Sequence, residues 1–130
     1  MLNFFLFLFL FSFSFYSSLF ANDLNKFCNP PKDRPSEIVC DYAIVHRSSF
    51  VETASAMFFA MMESTSNFCG NPLPKKYFNA IEIARSKYPR INKIKQDLLK
   101  RLEKLEPPES VGRKQEFCME QMKLIYETFE

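Results

Sequence analysis

The chain has 130 residues and a formal net charge of +2, with 17 Lys and Arg against 15 Asp and Glu. That balance is too even for a nucleic-acid binder, whose affinity rests on clustered contacts to phosphates. Two glycines and one histidine exclude a phosphate-cradling glycine loop and leave little for a metal site.

Residues 1–21, MLNFFLFLFLFSFSFYSSLFA, carry no charged side chain. A Phe- and Leu-rich run that turns to Ser and ends in Leu19-Phe20-Ala21 has the layout of a secretory signal peptide, cleaved after Ala21. The alternative is an uncleaved anchor, because an apolar run of about 18–20 residues spans a bilayer. Membrane contact is expected only in that second case. Either way the remainder, Asn22 to Glu130, is expected to be exported, and it is long enough for one small domain. Its four cysteines, Cys28, Cys40, Cys69 and Cys118, are an even number in an exported chain and predict a disulfide framework.

Residues 22–36 are polar and broken by Pro30, Pro31 and Pro35, which predicts an extended arm. Ser36 and Glu37 then read as an N-cap and a first-turn acid. The first helix is predicted from about Glu37 to Thr65, with Cys40, Ile44, Val51, Ala54, Phe58 and Met61 on one stripe. Its weak place is Arg47-Ser48-Ser49. Ser64 to Leu73 reads as loop, with Gly70 and Pro72 ending the helix. Pro74 suits the first turn of the next helix. That helix carries Tyr77, Ile81, Ala84 and Tyr88 on one side and meets Pro89, which must kink or restart it. Beyond lie Ile91, Ile94, Leu98, Leu102 and Leu105 at core spacing. Pro107-Pro108 stops this piece. Ser110 caps the last helix, whose stripe is Cys118, Met122, Ile125 and Phe129. The prediction is an all-α protein: a small disulfide-stapled bundle of about four helical segments over 37–130.

Helix geometry ranks the cysteine pairings. A continuous helix from 37 to 65 is roughly 40 Å long, so Cys40 and Cys69 lie at opposite ends, whereas a disulfide needs Cα atoms within about 7 Å. If the proline-interrupted segment returns antiparallel, Cys118 comes near Cys40, and the arm carries Cys28 to Cys69. The expected pairing is therefore Cys40–Cys118 with Cys28–Cys69. The next choice is Cys28–Cys40 with Cys69–Cys118.

Catalytic signals are sparse. His46 is the single histidine, beside Arg47, and reads as a solvated surface or core residue. The chain has no nucleophile elbow and no Cys-Xaa-Xaa-Cys. No enzyme activity, metal or cofactor is expected. Charge says more. Residues 75–104 hold ten Lys and Arg against three acids, whereas 105–130 hold six Glu against three Lys and Arg. A basic face (Lys75, Lys76, Arg85, Lys87, Arg90, Lys93) is either a solvated surface balanced by its acidic neighbour or a docking surface for an acidic protein or anionic membrane. A second lead is the cluster Phe50, Met57, Phe58 and Met61. It reads as plain core, as a face covered by a second subunit in a homodimer, or as the lining of a lipid carrier.

The order of features completes the sequence reading. A signal peptide is followed by Cys40-Asp41-Tyr42 opening a helix, Cys69 shortly before Pro72, a helix ending in Tyr88-Pro89, and a last cysteine. This resembles small helical periplasmic proteins of Gram-negative bacteria, namely the type VI secretion immunity proteins of the Tai kind and the HdeA-like acid-stress chaperones. The resemblance covers residues 40–118. It implies a helical, disulfide-linked periplasmic protein, often dimeric, that acts by binding another protein, and it transfers no catalytic residue. The expectation is thus an exported, periplasmic or secreted, non-enzymatic protein that binds a protein partner and no nucleic acid. A secreted carrier of a lipid or other apolar ligand is the alternative.

Overall fold

The structure, a computed structural model, describes Leu24, residues 26–105 and residues 111–129. The expected signal segment 1–21, the Pro107-Pro108 stop and the Ser110 cap lie outside the described residues. The protein is all-α and is stapled by two disulfides, with helices α1 (Arg34–His46), α2 (Phe50–Cys69), α3 (Lys75–Lys87), α4 (Ile91–Glu103) and α5 (Val111–Thr128). Among the described residues no helix is long and apolar enough to cross a membrane. The chain divides into two compact units within α2, one ending at Phe58 and the other beginning at Phe59.

In the first unit the expected extended arm is absent over its described part. Residues 26–28 are helical, Cys28 and Pro31 form an isolated bridge, and α1 begins at Arg34. The cause lies in the side chains. Asp33 rather than Ser36 is the N-cap, its carboxylate accepting from the Ser36 N–H at 2.8 Å, and Pro35 sits in the first turn. Cys28 is bonded to Cys40, with Cα atoms 5.7 Å apart, so this segment folds back on α1.

The single helix expected from Glu37 to Thr65 is two helices. Arg47 adopts a left-handed conformation at φ 53°, and the N–H groups of Arg47 and Ser48 both turn back to the Ala43 carbonyl. That closure is a helix C-terminal motif made without glycine. Ser49 then opens α2: its hydroxyl accepts from the Glu52 N–H at 3.1 Å. Buried Ser48 and Thr53 share a hydroxyl–hydroxyl bond of 2.7 Å across the corner. The break separates the phases of the two halves, so Ile44, expected in the core, is 62% exposed. The buried face of α1 is Val39, Cys40, Tyr42 and Ala43 instead. Within this unit Phe50 stacks on Phe27, with ring centroids 4.9 Å apart.

The second unit contains the C-terminal half of α2 with α3, α4 and α5. α2 runs on to Cys69, so the loop expected from Ser64 begins only at Gly70, whose φ of 68° favours a residue without a Cβ. The Asn71 N–H returns to the Ser66 carbonyl, and the Ser66 hydroxyl donates to the Asn71 carbonyl. Pro74 precedes α3 as its cap residue, and Pro89 ends α3 and forces a restart at Ile91. The predicted stripe Tyr77, Ile81, Ala84 and Tyr88 is buried, as are Ile91, Ile94 and Leu98. Leu102 is half-buried and Leu105 is exposed. On α5, Met122 and Ile125 are buried and Cys118 and Phe129 half-buried.

The disulfides are Cys28–Cys40 and Cys69–Cys118. This corrects the expected Cys40–Cys118 and Cys28–Cys69. That pairing rested on an unbroken first helix and on an extended arm able to span it, and the chain has neither. Cys69 lies 5.6 Å, Cα to Cα, from Cys118, so each disulfide closes within one unit. Two structural disulfides are the covalent signature of an oxidising, exported environment.

Candidate docking surface

The surface is built on α3 and α4, and a buried polar cluster fixes these helices to α2. Tyr77 of α3 is 1% exposed. Its hydroxyl lies 3.2 Å from both the Phe59 carbonyl and Glu63 Oε2 of α2. Lys95 of α4 reaches the same carboxylate oxygen at 2.8 Å. Three helices therefore meet at one carboxylate, and the ammonium and phenol that approach it leave it well satisfied. Burial pushes the Tyr77 phenol well above its ordinary value, and the Glu63 charge and hydrogen bond push it the same way. Ionised Tyr77 would be a desolvated anion beside a second anion. The Tyr77 ring packs edge-on against Phe59 at 5.6 Å and Phe129 at 5.9 Å. Such edge-to-face pairs each add about 0.5–1.5 kcal/mol beyond burial of area. Further along the unit, Phe68 meets Phe117 beside the Cys69–Cys118 bond, and the Tyr126 hydroxyl donates to the Pro72 carbonyl at 2.9 Å.

Because one side of α3 is anchored through Tyr77, Ile81, Ala84 and Tyr88, the other side is held outward. All six residues of the expected basic face, Lys75, Lys76, Arg85, Lys87, Arg90 and Lys93, are exposed. Arg85 pairs with Glu82 at 2.9 Å within the helix, a solvated pair of little energetic consequence. Lys87 lies 5.8 Å from the Tyr88 ring centroid. Lys93 and Lys100 of α4 and Lys104, which caps its C-terminus, follow one another at spacings of seven and four, and all three are exposed.

Two apolar side chains stand within this basic field. Phe78 is 54% exposed and Ile83 69% exposed, both on α3. Sequence reasoning passed over them. The signal was present, since neither falls on the 77, 81, 84, 88 stripe. Ile83 is flanked by Lys76 seven residues before it and Lys87 four residues after it, which places the three along one side of the helix.

The apolar cluster is placed differently. Phe50 and Met57 are buried, while Phe58 and Met61 are half-buried. Much of α2 is apolar or small around its circumference and is buried accordingly, including Val51, Ala56, Phe59 and Ala60. His46 is exposed at the end of α1 with its ring 4.0 Å from that of Tyr42. Among the described residues no group of three or more His, Cys, Asp or Glu is arranged to hold a metal ion. No protein-family model, curated protein or solved structure matches this chain.

Proposed function

We propose that this is an exported, periplasmic or secreted protein that performs no catalysis and acts by binding a protein partner, in the manner of an immunity protein or a chaperone. One observation carries the reading. Lys75, Lys76, Arg85, Lys87, Arg90 and Lys93 are exposed around Phe78 and Ile83 on helices fixed from behind by Tyr77 and Lys95. Exposed apolar side chains inside a predominantly basic field, in which Glu82 is paired with Arg85, are the composition of a recognition surface, where charge steers the encounter and apolar contact holds it. The excess of cations between residues 75 and 104 selects an acidic partner.

Isolation of the protein from its native compartment under mild, low-salt conditions tests this directly. The expected result is a stoichiometric acidic protein that is released by salt, because exposed charges beyond about 8–10 Å are screened at physiological ionic strength. Recovery of the protein alone counts against the reading.

A further inference from the structure

Phe78 and Ile83 do not form one patch. They are five residues apart on α3, which turns them about 140° from each other around its axis. The two sides they define differ in what is already engaged. On one side the Phe78 ring packs edge-on against Tyr77 at 5.2 Å, and one turn further Glu82 is bridged to Arg85 at 2.9 Å. An aromatic ring and an ion pair occupy that surface. On the other side Lys76, Asn79, Ala80 and Ile83 stand at i, i+3, i+4 and i+7. These are the four corners of the hole that a neighbouring helix fills with one side chain. Lys76, Asn79 and Ile83 are exposed and Ala80 is half-buried. Ala80 reaches no farther than its Cβ, so the floor of the hole is low. Ile83, 69% exposed, is its apolar wall. The hole is about 10 Å long. A cation stands at each end: Lys76 at one corner, and Lys87 one turn beyond Ile83, its ammonium group 5.8 Å from the Tyr88 ring centroid.

We propose that this side of α3 receives an acidic amphipathic helix of the partner protein. One apolar side chain of that helix enters the hole between Lys76 and Ile83, and carboxylates on either side of it reach Lys76 and Lys87. The hole fixes where the apolar side chain sits. Lys76 lies about one turn from that point and Lys87 about two, and these unequal distances set where the carboxylates must stand. Between residues 75 and 104 ten Lys and Arg face three acids, so carboxylates are the complementary charge. The whole site lies on one helix, anchored from behind by Tyr77, Ile81, Ala84 and Tyr88. The proposal rests on the reading of α3 as a docking face for an acidic protein, and adds which side is used and what element fits it.

Titration of the purified protein with synthetic peptides at low salt, followed by its backbone amide signals in NMR, tests this. The probe is a helix-forming peptide with leucines along one ridge and glutamates beside them. One control has serine for each leucine, and another has lysine for each glutamate. The expected result is saturable shifts at Lys76, Asn79, Ala80, Ile83 and Lys87, binding at least about 10-fold weaker with the serine peptide, and none with the lysine peptide. Ala80→Lys gives the sharper reading, because it fills the hole and adds a cation at once. Binding by charge alone would tighten, whereas binding through the hole should weaken at least about 10-fold. Phe78→Ala changes only the opposite side and should bind as the wild type does, a readout that stands even if Ala80→Lys folds poorly. Shifts centred on Phe78, Glu82 and Arg85, an Ala80→Lys protein that binds as tightly as the wild type, weakened binding by Phe78→Ala, or no shift at about 1 mM peptide overturns the proposal. A native acidic protein bound equally by the wild type and Ala80→Lys removes this inference and leaves the broader function standing, whereas failure to capture any acidic partner removes both.

Discussion

α2, α3 and α4 converge on the Glu63 carboxylate, so its replacement is a sharp internal probe of the second unit. Glu63→Gln keeps a hydrogen-bond acceptor for Tyr77 and removes the charge that balances Lys95. The Lys95 side chain is 10% exposed, so its ammonium group has little water to turn to. Removing one partner of a fully buried pair costs about 3–5 kcal/mol. Glu63 is 22% exposed, so part of its interaction is already screened, and the expected loss is about 2 kcal/mol. Lys95→Met should cost less, about 1 kcal/mol, because the remaining carboxylate keeps some solvent and the Tyr77 hydroxyl. The double variant removes both charges together and should also cost about 1 kcal/mol, which makes it about 2 kcal/mol more stable than the sum of the single losses predicts. Urea unfolding of the four proteins, with disulfides intact, measures this cycle. Additivity within about 0.5 kcal/mol would mean that the pair is an ordinary surface contact and that α3 and α4 are not fixed through it.

Three further outcomes follow from particular residues. Burial, with the Glu63 carboxylate beside it, holds the Tyr77 phenol above its ordinary pKa of about 10, so its contribution to stability is fully present below about pH 10 and is lost as pH rises above it. Tyr77→Phe should flatten the alkaline decline of stability and remove no titrating phenol from the native absorbance profile, and loss of such a phenol before unfolding would contradict the burial of Tyr77. Disulfide removal should be unequal, because Cys69–Cys118 closes a separation of 49 residues and Cys28–Cys40 only 12. On the chain-entropy account the losses are about 4 and about 3 kcal/mol, and peptide mapping without reduction should recover these two pairs and no Cys40–Cys118 peptide. Arg47→Gly should raise stability by about 1 kcal/mol, because φ 53° is strained for arginine and free for glycine. A neutral or destabilising result in urea unfolding would mean that the corner between α1 and α2 is not left-handed at this residue.

What the sequence disclosed was mostly local. The stripe Tyr77, Ile81, Ala84 and Tyr88 is visible because one helix turns every 3.6 residues whatever surrounds it. Gly70 and Pro89 were legible because each imposes a backbone constraint of its own. The corner at Arg47 was harder. A left-handed residue is usually glycine or asparagine, and arginine gives no such signal. A second sign was available: Ser49 and Glu52 have the spacing of a capping box, and the structure uses Ser49 to cap α2. Missing that start carried two errors with it. It placed Ile44 in the core, and it lengthened the first helix enough to favour the wrong cysteine pairs. The meeting of Glu63, Tyr77 and Lys95 had no sequence signature at all, since the three residues come from separate helices and are joined only by packing. The basic face was legible as composition, whereas the exposure of Phe78 and Ile83 within it depended on which side of α3 is anchored.

The central claim is that the outward side of α3 and α4 is read by a partner, and one comparison tests it most directly. The wild-type protein and a variant carrying Lys75→Glu, Lys76→Glu and Lys93→Glu are each used to capture proteins from the native exported compartment, and the captured protein is then titrated against both. These three side chains are exposed, and among the described residues they make no ion pair, so their reversal should leave the fold unchanged. The account predicts a stoichiometric acidic protein on the wild type, released by salt and bound at least about 100-fold more weakly by the variant. A partner bound equally by both, or none bound by either, contradicts it.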